Sequence, residues 1–286
     1  MTAELAVLTS RLRGDDKRIL VALERRGLPV CHVDPRRLAL ASTSVTPWSL
    51  VLNREISASR ARHAAHTLEA AGATVLNCAA ATDVCADKWL TTLALRRDGV
   101  PTPRTTLALT PEAALDELDR FGYPAVVKPL TGSWGRQVSL LREPDAARAV
   151  LEHRAALPNP EAHLIYLQEY VEKPGRDIRV VVLGGRAVAA AYRVSADWRC
   201  NVALGAQTVA CPIGPELAKV AIAAAGAVGA ELAGVDLVEG DGGELLVLEV
   251  NHNVELAGAQ QAAGDSVDLA GSIAALVADR YEGGAR

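Results

Sequence analysis

The chain has 286 residues, half of them apolar and 22% charged, and a net charge of −4. That composition excludes a disordered or collagen-like chain and argues against a general affinity for nucleic acid or an anionic membrane. No apolar run reaches the roughly eighteen residues of a membrane span, and Cys31, Cys78, Cys85, Cys200 and Cys211 form no Cys-x-x-Cys pair, so neither a disulfide framework nor a thiolate zinc site is indicated.

Helical and strand-like patterns alternate, which predicts an α/β architecture of two or three subdomains in a cytoplasmic enzyme with reduced thiols. Ala3 to Thr9 reads as a short buried strand, Asp15 to Arg26 as an amphipathic helix stopping at Gly27, and Leu28 to Val33 as a second strand. Ser49 to Arg54 and Ala73 to Asn77 are two more strands, separated by a helix from about Ser59 to Ala71. Four strands alternating with helices predict a small parallel sheet, assigned to a first domain of residues 1–86. Arg13, Arg36 and Arg54 in this domain read as solvated charges.

Asp87-Lys88-Trp89 opens a helix to Arg97, which ends in the extended connector from Asp98 to Pro103. Thr110 and Pro111 have the chemistry of an N-cap and a first helical residue, and that helix stops before Gly122. A buried strand from Pro124 ends at Lys128 and leads into Thr131-Gly132-Ser133-Trp134-Gly135-Arg136-Gln137. A glycine loop with a lysine at its base can offer backbone N–H groups and a positive charge to an anion; a plain hairpin loop has the same composition. Neither the Walker order nor a Gly-x-Gly-x-x-Gly fingerprint is present. A middle subdomain of residues 87–167 and a last one of residues 168–286 are expected.

His163 to Val171 is strand-like, as is Asp177 to Leu183, and Gly184-Gly185 turns into another strand from Arg186 to Arg193. Ser195 to Gly205 is a polar loop holding Arg199 and Asn201, and Pro215 to Ala233 reads as one Ala-rich helix. Val235 to Val238 and Leu245 to Val250 are strands joined through a glycine-rich turn. With Asp241-Gly242 as a two-residue loop, Asp236 lies opposite Val247 and shares a face with Val247, Glu249 and Asn251. Two carboxylates and an amide on an apolar hairpin suit a hard cation such as Mg²⁺. Solvated acids on an open edge hairpin are the alternative.

The ordered series Lys88, Lys128, the glycine loop, Gln168-Glu169-Tyr170-Val171, Asp177-Ile178-Arg179, Arg193, Asn201, Asp236 and Glu249-x-Asn251 resembles that of ATP-grasp ligases. Within them it is similar to the RimK-like branch, of the LysX/ArgX type that joins an amino acid to a small acidic amino-group carrier protein. The most specific segments are residues 128–136, 168–179 and 249–252. The resemblance implies an ATP-grasp fold behind an N-terminal parallel-sheet domain, with ATP held by Lys88, Lys128, Gly132, Ser133, Trp134, Gly135, Arg136, Gln168, Glu169, Tyr170, Val171, Asp177 and Arg179. It implies one or two Mg²⁺ ions (or Mn²⁺) on Asp236, Glu249 and Asn251, and catalytic roles for Arg193 and Asn201.

The implied reaction joins 2-aminoadipate or glutamate to the terminal glutamate of a LysW-like carrier, in lysine or arginine biosynthesis, through an acyl phosphate. A homo-oligomer (dimer or tetramer) is also implied. Leu204, Ala206 and the run Leu256 to Ala259 depart from the LysX pattern in segments that would face the acceptor and the amino acid. A related ligase of specialised metabolism, a glutamate ligase acting on another peptide, and a regulator that binds nucleotide without turnover are the alternatives. His252 reads equally as a base, a substrate contact or a structural histidine.

Overall fold

A computed structural model describes residues 4–43, 45–132 and 135–284. The first domain comprises β1 (Glu4–Leu8), α1 (Gly14–Arg25), β2 (Val30–Val33), β3 (Trp48–Asn53), α2 (Ala58–Ala70), β4 (Thr74–Leu76) and α3 (Ala79–Ala86). Its strands form the expected parallel sheet in the order β2-β1-β3-β4. Both faces are buried, which is why β1 and β3 are nearly continuous apolar runs.

α4 (Lys88–Arg97) starts at Asp87, whose carboxylate accepts from the backbone N–H groups of Trp89 and Leu90. It was expected to belong with the middle subdomain. Its Ala94 and Leu95 instead pack with Val235, Leu237 and Val247 of the last one, because the apolar side of the helix finds its partner there. The middle unit consists of β5 (Thr105–Ala108), α5 (Pro111–Phe121), β6 (Ala125–Lys128), β7 (Ser139–Leu141), α6 (Pro144–Ala155) and β8 (Ile165–Glu169). Its antiparallel sheet runs β5-β8-β6-β7, and β8 continues two residues past the expected limit at 167. Ala125, Val127, Ile165 and Leu167 on one face close a core with Leu118 and Leu151 of the helices. Alternation then turns Lys128, Tyr166 and Gln168 to the other face.

The last unit carries β9 (Arg176–Leu183), β10 (Arg186–Val194), β11 (Gln207–Ala210), α7 (Pro215–Ala227), β12 (Leu232–Glu239), β13 (Leu245–Asn251), α8 (Ala257–Ala263) and α9 (Leu269–Gly284). Its sheet is antiparallel in the order β11-β10-β9-β12-β13. The Ala-rich helix ends at Ala227 rather than Ala233. Gly229, at φ +71°, turns the chain and Leu232 and Ala233 enter a fully buried strand, where burial outweighs the helix preference of alanine.

The register of the β12–β13 hairpin also differs from expectation. Gly240 to Glu244 form a five-residue connection with Gly243 at φ +79°, and a bulge leaves Leu248 without a partner. Asp236 therefore faces Glu249 rather than Val247. The bulge sends Val247 into the core beneath α7 and leaves Glu249 and Asn251 with Asp236 on the opposite face.

That face is divided. Val181, Leu183 and Leu232 pack with Leu5, Leu50, Ile19 and Ile273 in a core shared by the first and last units. Toward the other ends of the same strands the face carries Asp177, Arg179, Arg193, Asp236 and Glu249. All five cysteines are free thiols, and among the described residues no helix is long and apolar enough to cross a membrane.

Candidate active site

Cross-strand register builds the floor of the crevice. Arg179 on β9 pairs with Asp236 on β12, which pairs with Glu249 on β13, so cation and carboxylates form one row across the sheet. Two residues along, Asp177 lies opposite Arg193 on β10. Arg193 grips Asp177 through two hydrogen bonds, at 2.6 and 2.9 Å, and reaches Asp236 at 3.2 Å. Arg179 takes both Asp236 oxygens, one of them at 2.7 Å. Burial alone would raise the Asp236 carboxyl; the guanidiniums of Arg179 and Arg193 outweigh it and hold the group below the usual carboxylate range.

Gly234 lets this happen. A Cβ there would stand 3.2 Å from the Arg179 guanidinium and 2.7 Å from Val254, so only glycine leaves the arginine room to lie across β12.

Glu249 is placed differently. Its side chain is 29% exposed and has Lys88 at 3.7 Å as its ion-pair partner. The Asn251 amide donates to the Gly234 carbonyl at 3.4 Å, which leaves its oxygen available as an acceptor. Among the described residues no group of three His, Cys, Asp or Glu side chains could cage a metal. The set here is two carboxylates and an amide oxygen, all hard donors, and it fits an ion that completes its shell with water and phosphate oxygens, as Mg²⁺ does.

The opposite wall comes from the middle sheet and the start of α4. Lys128 donates to Gln168 Oε1 at 2.6 Å, and burial pushes its ammonium down to about 8, with Glu249 opposing that shift. Lys88 donates to the carbonyl of Gly132 at 3.0 Å, tying α4 to the glycine loop. Gly135, at φ +68°, touches the loop after β10: a Cβ there would stand 2.6 Å from Asn201 Oδ1. Arg136 is exposed beside it, and the expectations for Ser133 and Trp134 lie outside the described residues.

The remaining expected nucleotide residues sit at the joint between the two sheets. Glu169 accepts from the Arg104 backbone at 2.6 Å, Tyr170 donates its backbone N–H to the Pro124 carbonyl, and the Tyr170 ring meets Trp198 edge to face. Val171 follows, half-buried. Gln168 is 2% exposed and meets Lys128 rather than the open crevice. Asp177, expected among the residues that hold ATP, is engaged by Arg193.

Arg54 corrects an expectation. It is fully buried rather than solvated, donating to Asp16 at 3.0 Å and to the Val254 carbonyl at 3.0 Å. Arg36 is the exposed charge expected, paired with Asp34, whereas Arg13 bonds Asp16 and Asn253. Asn77, which sequence reasoning passed over, donates to the carbonyls of Leu232 and His252 and accepts from the N–H groups of Glu231 and Leu232. Together these contacts clamp the chain immediately beyond Asn251 to the first domain. Desolvation at this half-buried position, with Arg54 nearby, lowers His252 to about 4, which favours a neutral imidazole at pH 7.

Residues 85–277 match the model of the RimK-like ATP-grasp domain, and residues 5–84 that of the LysX preATP-grasp domain. The glutamate–LysW ligase ArgX of Sulfolobus acidocaldarius is 30% identical over 280 residues, covering 97% of this chain and 99% of that protein. The alpha-aminoadipate–LysW ligase LysX of Saccharolobus solfataricus is 32% identical over 243 residues, with 84% and 88% covered. Among solved structures, a RimK-domain ATP-grasp protein from Sphaerobacter thermophilus superposes with a TM-score of 0.80 at 27% identity, covering 96% of this chain and 99% of that one.

Proposed function

The chain belongs to the RimK-like ATP-grasp family, whose ligases form carbon–nitrogen bonds with ATP, and from that premise we propose that it ligates a free amino acid to a small acidic carrier protein. The amino acid is 2-aminoadipate or glutamate, the acceptor is the carrier's terminal glutamate, and the setting is cytoplasmic lysine or arginine biosynthesis. The observation that carries this reading is the pairing of the charged floor with similarity, over 97% and 84% of this chain, to two ligases named for LysW.

When bound, magnesium ATP supplies the phosphoryl group that turns the acceptor carboxylate into an acyl phosphate, from which the incoming amine displaces phosphate. Glu249, Asn251 and Asp236 would hold the metal. Lys88 and Lys128 would meet phosphate oxygens; at about 4 Å and an effective dielectric near 20, each such pair is worth on the order of 4 kcal/mol before desolvation. Arg193 and Arg179 fix Asp236 in place while it is charged, and the contact between Gly135 and Asn201 would hold the glycine loop against the loop after β10 when substrate is bound. No protein nucleophile is needed, because positioning and preorganised charge suffice.

Intact-protein mass spectrometry tests the reading. Enzyme, ATP, Mg²⁺ and an acidic carrier ending in glutamate are incubated with 2-aminoadipate, glutamate or other amino acids. The carrier should gain the mass of one amino acid less one water. Robust ATP turnover on a free amino acid or dipeptide, with no carrier modified, would replace the carrier by a small-molecule acceptor.

A further inference from the structure

Behind the two lysines runs a chain of hydrogen bonds between buried side chains. Lys128 Nζ lies 2.6 Å from Gln168 Oε1, and Gln168 Nε2 lies 3.1 Å from the Tyr166 hydroxyl and 3.3 Å from Thr105 Oγ1. The Tyr166 hydroxyl is 2.8 Å from Thr92 Oγ1, and Thr92 Oγ1 is 2.9 Å from the backbone carbonyl of Lys88. Tyr166 is fully buried; Gln168 and Thr92 are each 2% exposed.

The direction of every bond follows from its two ends. An ammonium only donates, so it must face the amide oxygen of Gln168, and the amide nitrogen must then face Tyr166 and Thr105. A backbone carbonyl only accepts, so the single hydroxyl proton of Thr92 goes to Lys88. Tyr166 therefore donates to Thr92 and accepts from Gln168. Thr105 donates to the Pro103 carbonyl at 2.9 Å and accepts from Gln168 without conflict. Each proton has one place to go. A flipped Gln168 would set its NH₂ against the ammonium and would need the Tyr166 and Thr105 protons to leave their acceptors.

We propose that Gln168, Tyr166 and Thr92 are positioning residues that lock the Lys128 ammonium to the start of α4, so that Lys88 and Lys128 approach the nucleotide phosphates as a pair of fixed spacing. The inference rests on the reading of the two lysines as phosphate ligands. It assigns Gln168 to orienting Lys128, and it gives the buried tyrosine hydroxyl a task beyond filling space. The chain crosses from the middle sheet to a helix packed on the last sheet, so it joins the two parts of one wall of the crevice.

Calorimetry of the full-length protein with ATP and Mg²⁺, and separately with adenosine, tests the relay. Tyr166→Phe and Thr92→Val each remove one hydroxyl at nearly constant volume. Each should weaken ATP by about tenfold, the scale of one hydrogen bond that supports a charge, while adenosine stays within about twofold. The double variant should be little worse than either single one, because both cut the same chain. Thr92→Ser, which keeps the hydroxyl, should restore ATP binding. Thr92→Val carries the test should Tyr166→Phe fail to fold. Lys128→Met separates the two layers of the argument. Selective loss of ATP there, with none in Tyr166→Phe and Thr92→Val, overturns the relay alone. Equal loss of ATP and adenosine in Lys128→Met overturns the phosphate assignment and the relay with it.

Discussion

Asp236 and Glu249 are direct cross-strand neighbours on one face, yet Asp236 is held by two guanidiniums while the ion-pair partner of Glu249 among the described residues is the Lys88 ammonium, 3.7 Å away. Two carboxylates in register thus have different work. Asp236 would meet the metal as a charge already fixed by two arginines, and Glu249 is the ligand freer to turn.

Glu249→Gln should therefore be a functional change with little structural cost. The substitution keeps volume and removes the charge a hard cation needs, so turnover at saturating Mg²⁺ should fall by about three orders of magnitude. The melting temperature should stay near that of wild type. Phosphate release across a Mg²⁺ titration measures it, and activity within a few-fold of wild type would place the metal elsewhere.

Asp236→Asn should cost stability as well as turnover. Removing the charge leaves Arg179 without its carboxylate and Arg193 with Asp177 alone, at a cost of about 3–5 kcal/mol. Because the Asp236 carboxyl is held below its ordinary range, its stabilising contribution is complete above that range and is lost as pH falls through the lowered value. Acid denaturation curves should show this loss in wild type, and the contribution should be missing from the variant at every pH.

Lys128 ties affinity to pH. Its ammonium deprotonates at about 8 in the nucleotide-free protein, so above that pH binding a phosphate must also recover a proton. ATP affinity should fall as pH rises from about 7.5 to about 9.5, by up to about tenfold per unit. In Lys128→Met this part of the pH dependence should vanish, and a wild-type curve that is flat over the interval would refute the assignment.

Gly135→Ala tests the contact between loops. The added methyl meets Asn201 Oδ1 at 2.6 Å and forces a left-handed residue other than glycine, a strain of about 1 kcal/mol. The two loops should separate, turnover should drop roughly tenfold, and tryptic cleavage after the exposed Arg136 should quicken. Unchanged kinetics with unchanged cleavage would show that the contact has no bearing on closure.

The floor of the site was legible in the sequence because alternation along a strand is strict: Glu249 and Asn251, and likewise Asp177 and Arg179, had to share a face. The bulge at Leu248 was not legible. It depends on how a five-residue turn closes, and it reversed the placement of Val247 while leaving Asp236 beside Glu249. Arg54 was misjudged because its acceptors, Asp16 and Val254, lie 38 and 200 positions away, and a lone arginine gives no sign of either. The end of α7 was hidden for another reason. Alanine prefers a helix, and burial of Leu232 in the core shared with the first domain overrode that preference.

The two family models meet between residues 84 and 85, but the fold is not divided there. Leu5, Leu50 and Ile19 share one core with Val181, Leu232 and Ile273, whereas the middle sheet closes its own core with α5 and α6. The seam in ancestry therefore differs from the seam in cooperativity. The first and last units should melt as a single calorimetric transition, and a fragment cut at residue 85 should aggregate through its bared apolar face, whereas the middle unit is the part able to unfold by itself.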